Sequence, residues 1–226
     1  MKPELKIDYA THKAAKFACE NWHYSKRIPV NKLLKYSVYE NGIFIGVIIY
    51  GVGASATLHK QFNLENVEVC ELVRIALKKH INPVSKMIAI TLKKIKKDNP
   101  NLRIIVSFAD TNQNHNGAIY QASNWIYTGI SAKVTEYFYN NKWRHTTDVY
   151  KRLNSESIKN LKKRKRDGKH RYIYPLDKEM KDFCLKLSKP YPKKCVGGVE
   201  SDTSGVHPEE GGALPTPTLI EELCQT

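Results

Sequence analysis

One stretch decides the fold class of this 226-residue chain: Tyr36-Ser37-Val38-Tyr39-Glu40-Asn41-Gly42-Ile43-Phe44-Ile45-Gly46-Val47-Ile48-Ile49-Tyr50. Its Asn-Gly dipeptide is the preferred centre of a two-residue hairpin turn, and it separates two runs rich in β-branched and aromatic residues. The second run is apolar at nearly every position, so side chains on both of its faces need burial. We therefore predict a β-hairpin whose second strand lies centrally in a sheet.

Helices and further strands flank this hairpin. Residues 11–21 have an apolar helical face, and a second helix is predicted with Asn82 as N-cap, Pro83 as first residue and apolar positions at helical spacing to Ile95. The remaining strands are predicted at residues 67–77, 102–109, 132–139 and 143–151. This order predicts an α/β fold with a mixed, mostly antiparallel central sheet flanked by helices.

Charge is distributed unevenly along the chain. The sequence has 37 Lys and Arg against 22 Asp and Glu, and residues 195–226 carry six of the acids with no Lys or Arg. Such concentrated basic charge in residues 1–194 is typical of proteins that bind a polyanion, although a merely soluble basic protein is the alternative. A membrane partner is not expected, because no apolar run approaches the roughly 20 residues of a spanning helix and no signal peptide begins the chain.

Composition divides the chain into three parts. Residues 1–150 hold the predicted sheet and helices and are expected to form one domain. Residues 151–194 include the run Lys159–Arg171 with eight Lys or Arg and are predicted to form a basic, partly helical extension that binds DNA. Residues 195–226, rich in Gly, Pro, Ser, Thr and Glu, are predicted to be a disordered acidic tail.

The five cysteines are odd in number and scattered, and no two form a C-x-x-C pair. This pattern favours reduced thiols in a cytoplasm over a disulfide framework or a zinc site. They are Cys19, Cys70, Cys184, Cys195 and Cys224.

The start of the second helix is a candidate anion site. Asn82, Ser85 and Lys86 would combine free backbone N–H groups, the positive end of the helix dipole, a hydroxyl and an ammonium group at one place. Such a site could hold a phosphate of a nucleotide-like donor. The alternative is an ordinary capped helix that binds nothing.

Asp110 is the first candidate catalytic residue, because it follows a predicted buried strand and precedes a polar loop that includes Asn112 and His115. Strand ends of this kind often carry active sites in α/β folds. A carboxylate there could accept the proton of an attacking amine, and the amides could contact a base edge. The alternative is an Asp that turns the chain and caps the next helix.

His23, Tyr24 and Ser25 form a second candidate group, directly after the first helix. A histidine there could act as a base, stack on an extruded base or ligate a metal ion. The alternative is a packed histidine whose hydrogen bonds are satisfied within the protein.

Glu71 and Arg74 are candidates because they lie in a predicted strand that is otherwise mostly apolar. Strict alternation would place them on opposite faces, so that Glu71 could organise a catalytic His or Tyr while Arg74 meets a donor phosphate. The alternative for Glu71 is a structural ion pair with another segment.

Candidate contacts to a nucleic-acid backbone lie in the basic run. Lys162, Arg164 and Arg171 could neutralise phosphates, and Tyr172 beside them offers stacking surface. Such contacts position a duplex rather than specify its sequence. A solvated helix face or a localisation-like basic tract is the alternative.

Several segments resemble the Mom family of phage adenine-modification proteins, and the order of elements looks like that of a GNAT-type acyltransferase. The segments are residues 21–25, 71–74, 82–86, 107–111 and 119–129, with a further match at residues 170–176 and 188–192. The resemblance implies transfer of a carbamoylmethyl group to the exocyclic amine of adenine in duplex DNA, which shields phage DNA from restriction nucleases in a bacterial host cell.

The same resemblance implies roles for individual residues. The catalytic candidates become Asp110, His23, Tyr24 and Glu71. Ser107, Tyr120 and Asn124 join the candidate substrate contacts, since an adenine extruded from a duplex needs aromatic and polar neighbours. The donor, small-molecule or carrier-linked, stays open: residues 80–86 contain no glycine, unlike the pyrophosphate loop of most acyltransferases, so an acyl-CoA-like donor and a metal ion at His23 are both expectations to test.

Two other functions fit the sequence. An N-acyltransferase for a protein or small-molecule amine would have the same order of elements, and its basic charge would be incidental. A non-catalytic DNA-binding protein would keep its activity after substitution of Asp110 and Glu71.

Overall fold

Ten strands lie in the part of the chain that a computed structural model describes, which is residues 2–30, 32–53, 55 and 57–192. They are β1 (Leu5–Tyr9), β2 (Leu33–Glu40), β3 (Ile43–Gly51), β4 (Val69–Leu77), β5 (Ile104–Ala109), β6 (Ile126–Ile130), β7 (Val134–Tyr139), β8 (Lys142–His145), β9 (Lys163–Arg166) and β10 (His170–Pro175). Seven form a central sheet in the order β1-β2-β3-β4-β5-β10-β6. Only β4 and β5 pair in parallel in this sheet, so the predicted mixed, mostly antiparallel α/β sheet is confirmed.

The β2–β3 hairpin is confirmed, and β3 lies inside the sheet between β2 and β4. Asn41 and Gly42 both have positive φ, 48° and 78°, as a turn that matches the twist of the two strands requires. Residues 44–51 of β3 are all buried, which accounts for the absence of charged side chains there. This strand is therefore the apolar centre around which the sheet is covered on both faces.

Helices cover both faces of the sheet. In chain order they are α1 (His12–Trp22), α2 (Val84–Asp98), α3 (Ala118–Gln121), α4 (Thr146–Tyr150), α5 (Ser155–Lys159) and α6 (Lys178–Lys186). On one face α2 buries Met87, Ile88 and Ile95 completely. On the other, α1 packs its alanines against β3, and α6 packs Met180 and Cys184 against β5 and β10. The two predicted helices are confirmed.

β4 contains a β-bulge that the alternating pattern did not predict. Arg74 pairs with Ile49 and Leu72 pairs with Tyr50, so Val73 is the extra residue between two ladder positions. As a result, Leu72 and Ile75 lie in the same core cluster, although strict alternation would separate them. The predicted alternation through residue 77 is therefore wrong. The bulge also removes the reason for placing Glu71 and Arg74 on opposite faces.

β7, β8 and β9 form a second, smaller sheet in the order β8-β7-β9. The predicted second hairpin is confirmed, with Asn140 and Asn141 in the left-handed conformation at its turn. Its second strand is shorter than predicted, because residues 146–150 form α4. The His145 side chain accepts the backbone N–H of Thr147 and so begins that helix.

The predicted boundary at residue 150 is wrong. β9 pairs with β7, and β10 lies between β5 and β6 with Tyr172 and Ile173 fully buried. Residues 151–192 therefore complete both sheets instead of following a finished domain. The predicted disordered tail, residues 195–226, lies outside the described residues.

Two further predictions concern thiols and membranes. Cys19, Cys70 and Cys184 are buried free thiols, as predicted, whereas Cys195 and Cys224 lie outside the described residues. Within the described part of the chain, no helix combines the length and the apolar character that crossing a membrane would need.

We expect Ile173→Ala to lower the free energy of unfolding by about 2–5 kcal/mol, because it leaves a cavity between the sheet and α6. Urea denaturation measures the change. The matched control in the same basic segment is exposed Lys162→Ala, which should shift stability by no more than about 0.5 kcal/mol. Equal, small effects of both substitutions would mean that residues 151–192 are peripheral to the core.

Candidate active site

A cleft opens where the parallel strands β4 and β5 separate. The two strands pair from Val69 with Ile104 to Leu72 with Ser107, and the Ser107 hydroxyl donates to the Leu72 carbonyl at 3.0 Å. Beyond this point residues 72–75 line one wall and residues 108–110 line the other. The cleft encloses about 770 Å³, part of which is open to solvent. Diverging parallel strands thus create the space, as at other strand-end sites in α/β folds.

Six of the predicted site residues line this cleft, and different elements deliver them. The end of α1 supplies His23 and Tyr24, β4 supplies Arg74, and the end of β5 supplies Asp110. They are His23, Tyr24, Arg74, Asp110, His115 and Tyr120. The sequence therefore predicted most of the polar groups that the fold brings together here.

Asp110 is a buried carboxylate with both oxygens in use. Oδ1 accepts the backbone N–H of Asn112 at 3.1 Å and its side-chain amide at 3.2 Å, while Oδ2 lies 3.2 Å from Lys169 Nζ. Burial raises the pKa of Asp110, but the Lys169 charge and the Asn112 hydrogen bonds outweigh it and hold the pKa below its ordinary value. Asp110 is thus ionised at neutral pH. It also caps the turn at residues 111–113, as the structural alternative predicted.

Lys169 is a site residue that the sequence did not single out. The register of β10 on β5 pairs His170 with Ala109, which brings the preceding Lys169 beside Asp110. The Thr111 hydroxyl donates to the Gly168 carbonyl at 2.8 Å, and any side chain at Gly168 would collide with the Ser131 carbonyl. In the sequence, Lys169 is one of eight Lys and Arg residues in a basic run, and nothing in that run distinguishes Lys169 from the other seven.

His23 is buried and neutral. Its Nδ1 accepts the backbone N–H of Ser25 at 3.1 Å and lies 2.8 Å from the Ser25 hydroxyl, so the ring hydrogen belongs on Nε2. Burial, together with the charge of Arg74, lowers the pKa of His23 to about 3. A ring that holds hydrogen at Nε2 and is this weakly basic is better suited to donate a hydrogen bond than to act as the base.

A row of rings lines one wall of the cleft. The His23 and Tyr24 ring centroids are 4.3 Å apart, and the Tyr24 ring meets His115 edge-on at 6.4 Å. Burial lowers the pKa of His115 despite the opposing influence of Asp110, so this ring is neutral as well at physiological pH. Two neutral imidazoles and a phenol offer a flat aromatic group stacking surface without added charge.

Arg74 brings positive charge into the cleft. Its Nη1 donates to the Val73 carbonyl at 2.6 Å, while its Nε is buried without a hydrogen-bond partner among the described residues. A buried N–H without a partner is costly, so this group favours an acceptor in the cleft. Glu71 does not line the cleft, and its carboxylate packs closely against Gly53.

The start of α2 differs from the prediction. Pro83, not Asn82, is the N-cap, and Asn82 is buried with its backbone N–H and side-chain amide donated to the Glu40 carboxylate. Lys86 Nζ donates to Asn82 Oδ1 at 3.2 Å. The Glu40 carboxylate therefore accepts N–H groups that were expected to bind a phosphate. For this reason the start of α2 does not fit the pyrophosphate of an acyl-CoA. Anion binding by Ser85 and Lys86 stays a prediction.

Three predicted substrate contacts are occupied within the protein. Ser107 and Tyr172 are fully buried. The Ser107 hydroxyl is hydrogen-bonded to the Tyr120 hydroxyl and supports the cleft wall, and Tyr172 packs in the core as part of β10. The Arg171 guanidinium donates to Thr128 and Gln61 at 2.6 Å each. The predictions of direct contact by Ser107 and Tyr172 are wrong, since neither side chain reaches the surface.

The other predicted contacts lie outside the cleft lining. Asn124 is exposed at a left-handed turn position outside the cleft lining. Asn112 and Arg164 line a second, adjoining cavity together with residues 165–167, and this cavity shares Tyr24 and Asp110 with the cleft. Lys162 is exposed next to β9. The cleft thus continues into a cavity bordered by the cations of β9.

A metal site at His23 would need neighbouring ligands. Among the described residues, no three His, Cys, Asp or Glu side chains come close enough together to hold a metal ion. His23 Nδ1 is moreover engaged with Ser25.

The fold and the cleft define an α/β protein whose site lies at the separation of two parallel strands. Its structure is similar to an acetyltransferase of Bacillus subtilis in complex with CoA, at 14% identity over 76% of this chain and 99% of that one, with a TM-score of 0.46. It is also similar to the ribosomal-protein-S18-alanine N-acetyltransferase of Escherichia coli, at 9% identity over 77% and 96%, with a TM-score of 0.45. Likeness at this level says nothing about the reaction.

The chain belongs to the Mom protein family, whose model matches residues 4–193. It is 30% identical to the methylcarbamoylase Mom of Escherichia phage Mu over 204 residues, which is 84% of each chain. The family match includes β9 and β10, in agreement with their place inside the two sheets.

We expect Lys169→Met to raise the pKa of Asp110, because the cation that opposes the effect of burial is removed. In the wild type the lowered pKa contributes stability that is present above the unfolded pKa of about 3.9 and is lost as pH falls through the lower folded pKa. Carboxyl NMR titration measures the shift. The control is Lys133→Met, which removes an exposed pair with Asp167. An Asp110 pKa that stays at its wild-type value in Lys169→Met would refute the coupling.

Proposed function

We propose that this protein is a transferase that places a carbamoylmethyl-type group on the exocyclic amine of adenine in duplex DNA and so protects the DNA from restriction. Its family and its similarity to a phage methylcarbamoylase support this function. The observation that carries it is structural: Tyr24 and Asp110 line both the cleft and the adjoining cavity bordered by cations. A base could occupy the cleft while the neighbouring phosphates contact the cations that border the adjoining cavity.

The cations of β9 suit the DNA backbone. Four consecutive residues, Lys163 to Arg166, are basic, and three of them line the cavity that meets the cleft. Each phosphate contact releases counterions, which makes such binding strong at low salt and independent of sequence. These residues would hold the duplex with one strand across the mouth of the cleft.

The adenine has to leave the base stack to reach Asp110. Enzymes that modify a base in a duplex extrude it into a pocket and stack it on aromatic side chains. Tyr24 and Phe108 both line the cleft and are both partly exposed, so they are suited to contact the extruded base. Tyr120, buried with its hydroxyl bonded to Ser107, supports the wall instead.

The reaction needs an oriented amine and an electrophilic carbon. The adenine amine nitrogen forms a bond to the donor carbon, the bond to the leaving group breaks with its electron pair, and one amine hydrogen departs as a proton. The ionised Asp110 can accept this hydrogen, first as a hydrogen bond that aims the nitrogen at the donor. Its lowered pKa makes orientation the larger part of its role.

The donor would lie against Arg74. The unpartnered Nε of Arg74 and its positive charge can bind an anionic or carbonyl oxygen of a small-molecule or carrier-linked donor. Neutral His23, with hydrogen on Nε2, can donate to a second oxygen. Ser85 and Lys86 at the start of α2 remain candidates for a more distant anionic group.

Restriction digestion tests the function in cells. We expect plasmid DNA from cells that express the protein to resist nucleases whose recognition sites contain adenine, because the modified amine blocks contacts in the major groove. Nucleases with sites made only of G·C pairs are the internal control and should cut as well as before. Equal digestion by both kinds of nuclease would contradict adenine modification and favour transfer to another amine or binding alone.

The phosphate contacts have their own test. We expect substitution of Lys162, Lys163 and Lys165 together by Ala to weaken duplex binding and to reduce the salt slope by up to about 0.9 for each phosphate that is no longer neutralised. The triple substitution leaves the pair between Arg164 and buried Glu136 intact. Fluorescence anisotropy of a labelled duplex at several salt concentrations measures both quantities. An unchanged slope would mean that β9 does not meet phosphates.

A further inference from the structure

Two aromatic side chains are exposed on the small sheet. Phe138 on β7 is 38% exposed and Trp143 on β8 is 36% exposed, and they are directly paired across the two strands. Their rings meet at an angle of 61° with centroids 5.4 Å apart. Two large apolar side chains held together at the surface favour a contact with another molecule.

The Trp143 ring is held in a fixed position. The Arg164 guanidinium lies over it at 4.3 Å, and the same guanidinium donates to the Glu136 carboxylate from both Nε and Nη2, at 2.9 and 2.8 Å. Glu136 is buried and also pairs with Arg166 at 3.4 Å. Because two nitrogens of Arg164 donate to the Glu136 carboxylate, the guanidinium is fixed over the indole and orders it before any partner binds.

The same face leads to the active site. Glu136 and Phe138 are two residues apart on β7 and so share a face of the sheet with their partners Arg164 and Trp143. Arg164 and Arg166 on this face line the cavity that Tyr24 and Asp110 share with the cleft. The aromatic pair is therefore linked by one side chain, Arg164, to the place where an extruded base would enter.

The charge of this surface points to nucleic acid as the partner. Arg164 and Arg166 of β9 lie on the same face as Trp143. The neighbouring cations Lys163 and Lys165 project to the other face of β9, where Lys165 donates to Thr135. Anions spaced along a backbone match these cations, while the flat bases between them match the two rings. One carboxylate, Glu136, pairs with both arginines, so the face keeps a net positive charge that an anionic partner can neutralise and a neutral apolar partner cannot.

We propose that Trp143, supported by Phe138 and Arg164, stacks on a base of the duplex next to the extruded adenine. This inference rests on the proposed function, and it assigns to Trp143 the stabilisation of a locally opened duplex. Proteins that unstack a base step commonly insert or stack an apolar side chain there. Trp143 is thus a positioning residue for the substrate, outside the reacting groups.

Intrinsic fluorescence tests this contact without the donor. The described residues contain three tryptophans, of which Trp125 is fully buried, so stacking of Trp143 on a base should quench emission when the purified full chain is titrated with a duplex of mixed sequence. We expect Trp143→Phe to keep most of the affinity but to abolish this quench. A quench of the same size in Trp143→Phe would overturn the proposal.

Affinity separates stacking from charge. We expect Trp143→Ala to weaken duplex binding about ten-fold with an unchanged salt slope, since the substitution removes a stacking surface and leaves the phosphate contacts in place. The matched control is Tyr150→Ala: Tyr150 is 54% exposed, but its ring contacts Tyr137 on the opposite face of the small sheet. Equal weakening in the two variants, or a changed slope in Trp143→Ala, would contradict a stacking role.

The two proposals fail in distinguishable ways. If wild-type cells contain no modified adenine while the quench depends on Trp143, the proposed reaction fails and the stacking contact stands. If adenine is modified and Trp143→Ala binds and modifies DNA like the wild type, the stacking contact alone fails.

Discussion

The insertion of β10 between β5 and β6 is the constraint on which the site depends. It completes the central sheet, and its register sets Lys169 beside Asp110 at 3.2 Å. The preceding strand, β9, completes the small sheet and carries the cations that border the second cavity. One continuous segment therefore fixes the charge of the candidate catalytic carboxylate and also presents the surface proposed for phosphates. Removal of this segment would disrupt core packing, carboxylate pairing and the proposed DNA surface at once.

Electrostatics inside the cleft follow from burial and from a few fixed partners. His23 and His115 are neutral because burial lowers the pKa of each, and Asp110 stays ionised because Lys169 and Asn112 outweigh its burial. Positive charge comes from Arg74, which lines the cleft, and from Lys169, which pairs with Asp110. An uncharged base can therefore stack on the neutral rings of His23 and His115, while a polar donor can bind the Arg74 cation. This division suits the transfer of a group to an amine that is itself uncharged.

The sequence predicted features that depend on local patterns. The β2–β3 hairpin, the helices α1 and α2, and the position of Asp110 at a strand end all follow from turn chemistry and periodicity within a few residues. Predictions failed where distant residues decide the outcome. Tyr172 lies in a basic run, yet β10 pairing buries it. Asn82 does not cap α2, because its side-chain amide donates to Glu40, 42 residues earlier, and its Oδ1 accepts from Lys86 Nζ. The bulge at Val73 likewise depends on the register with β3.

Nucleoside mass spectrometry tests the central claim most directly, that Asp110 in this cleft takes part in adenine modification. Plasmid DNA would be digested from cells that express the wild type, Asp110→Ala or Asp167→Ala, the last being an exposed acid that borders the second cavity. We expect a heavier deoxyadenosine in the wild type and in Asp167→Ala, and unmodified deoxyadenosine in Asp110→Ala. Undiminished modification in Asp110→Ala, or unmodified DNA from the wild type, would contradict this assignment.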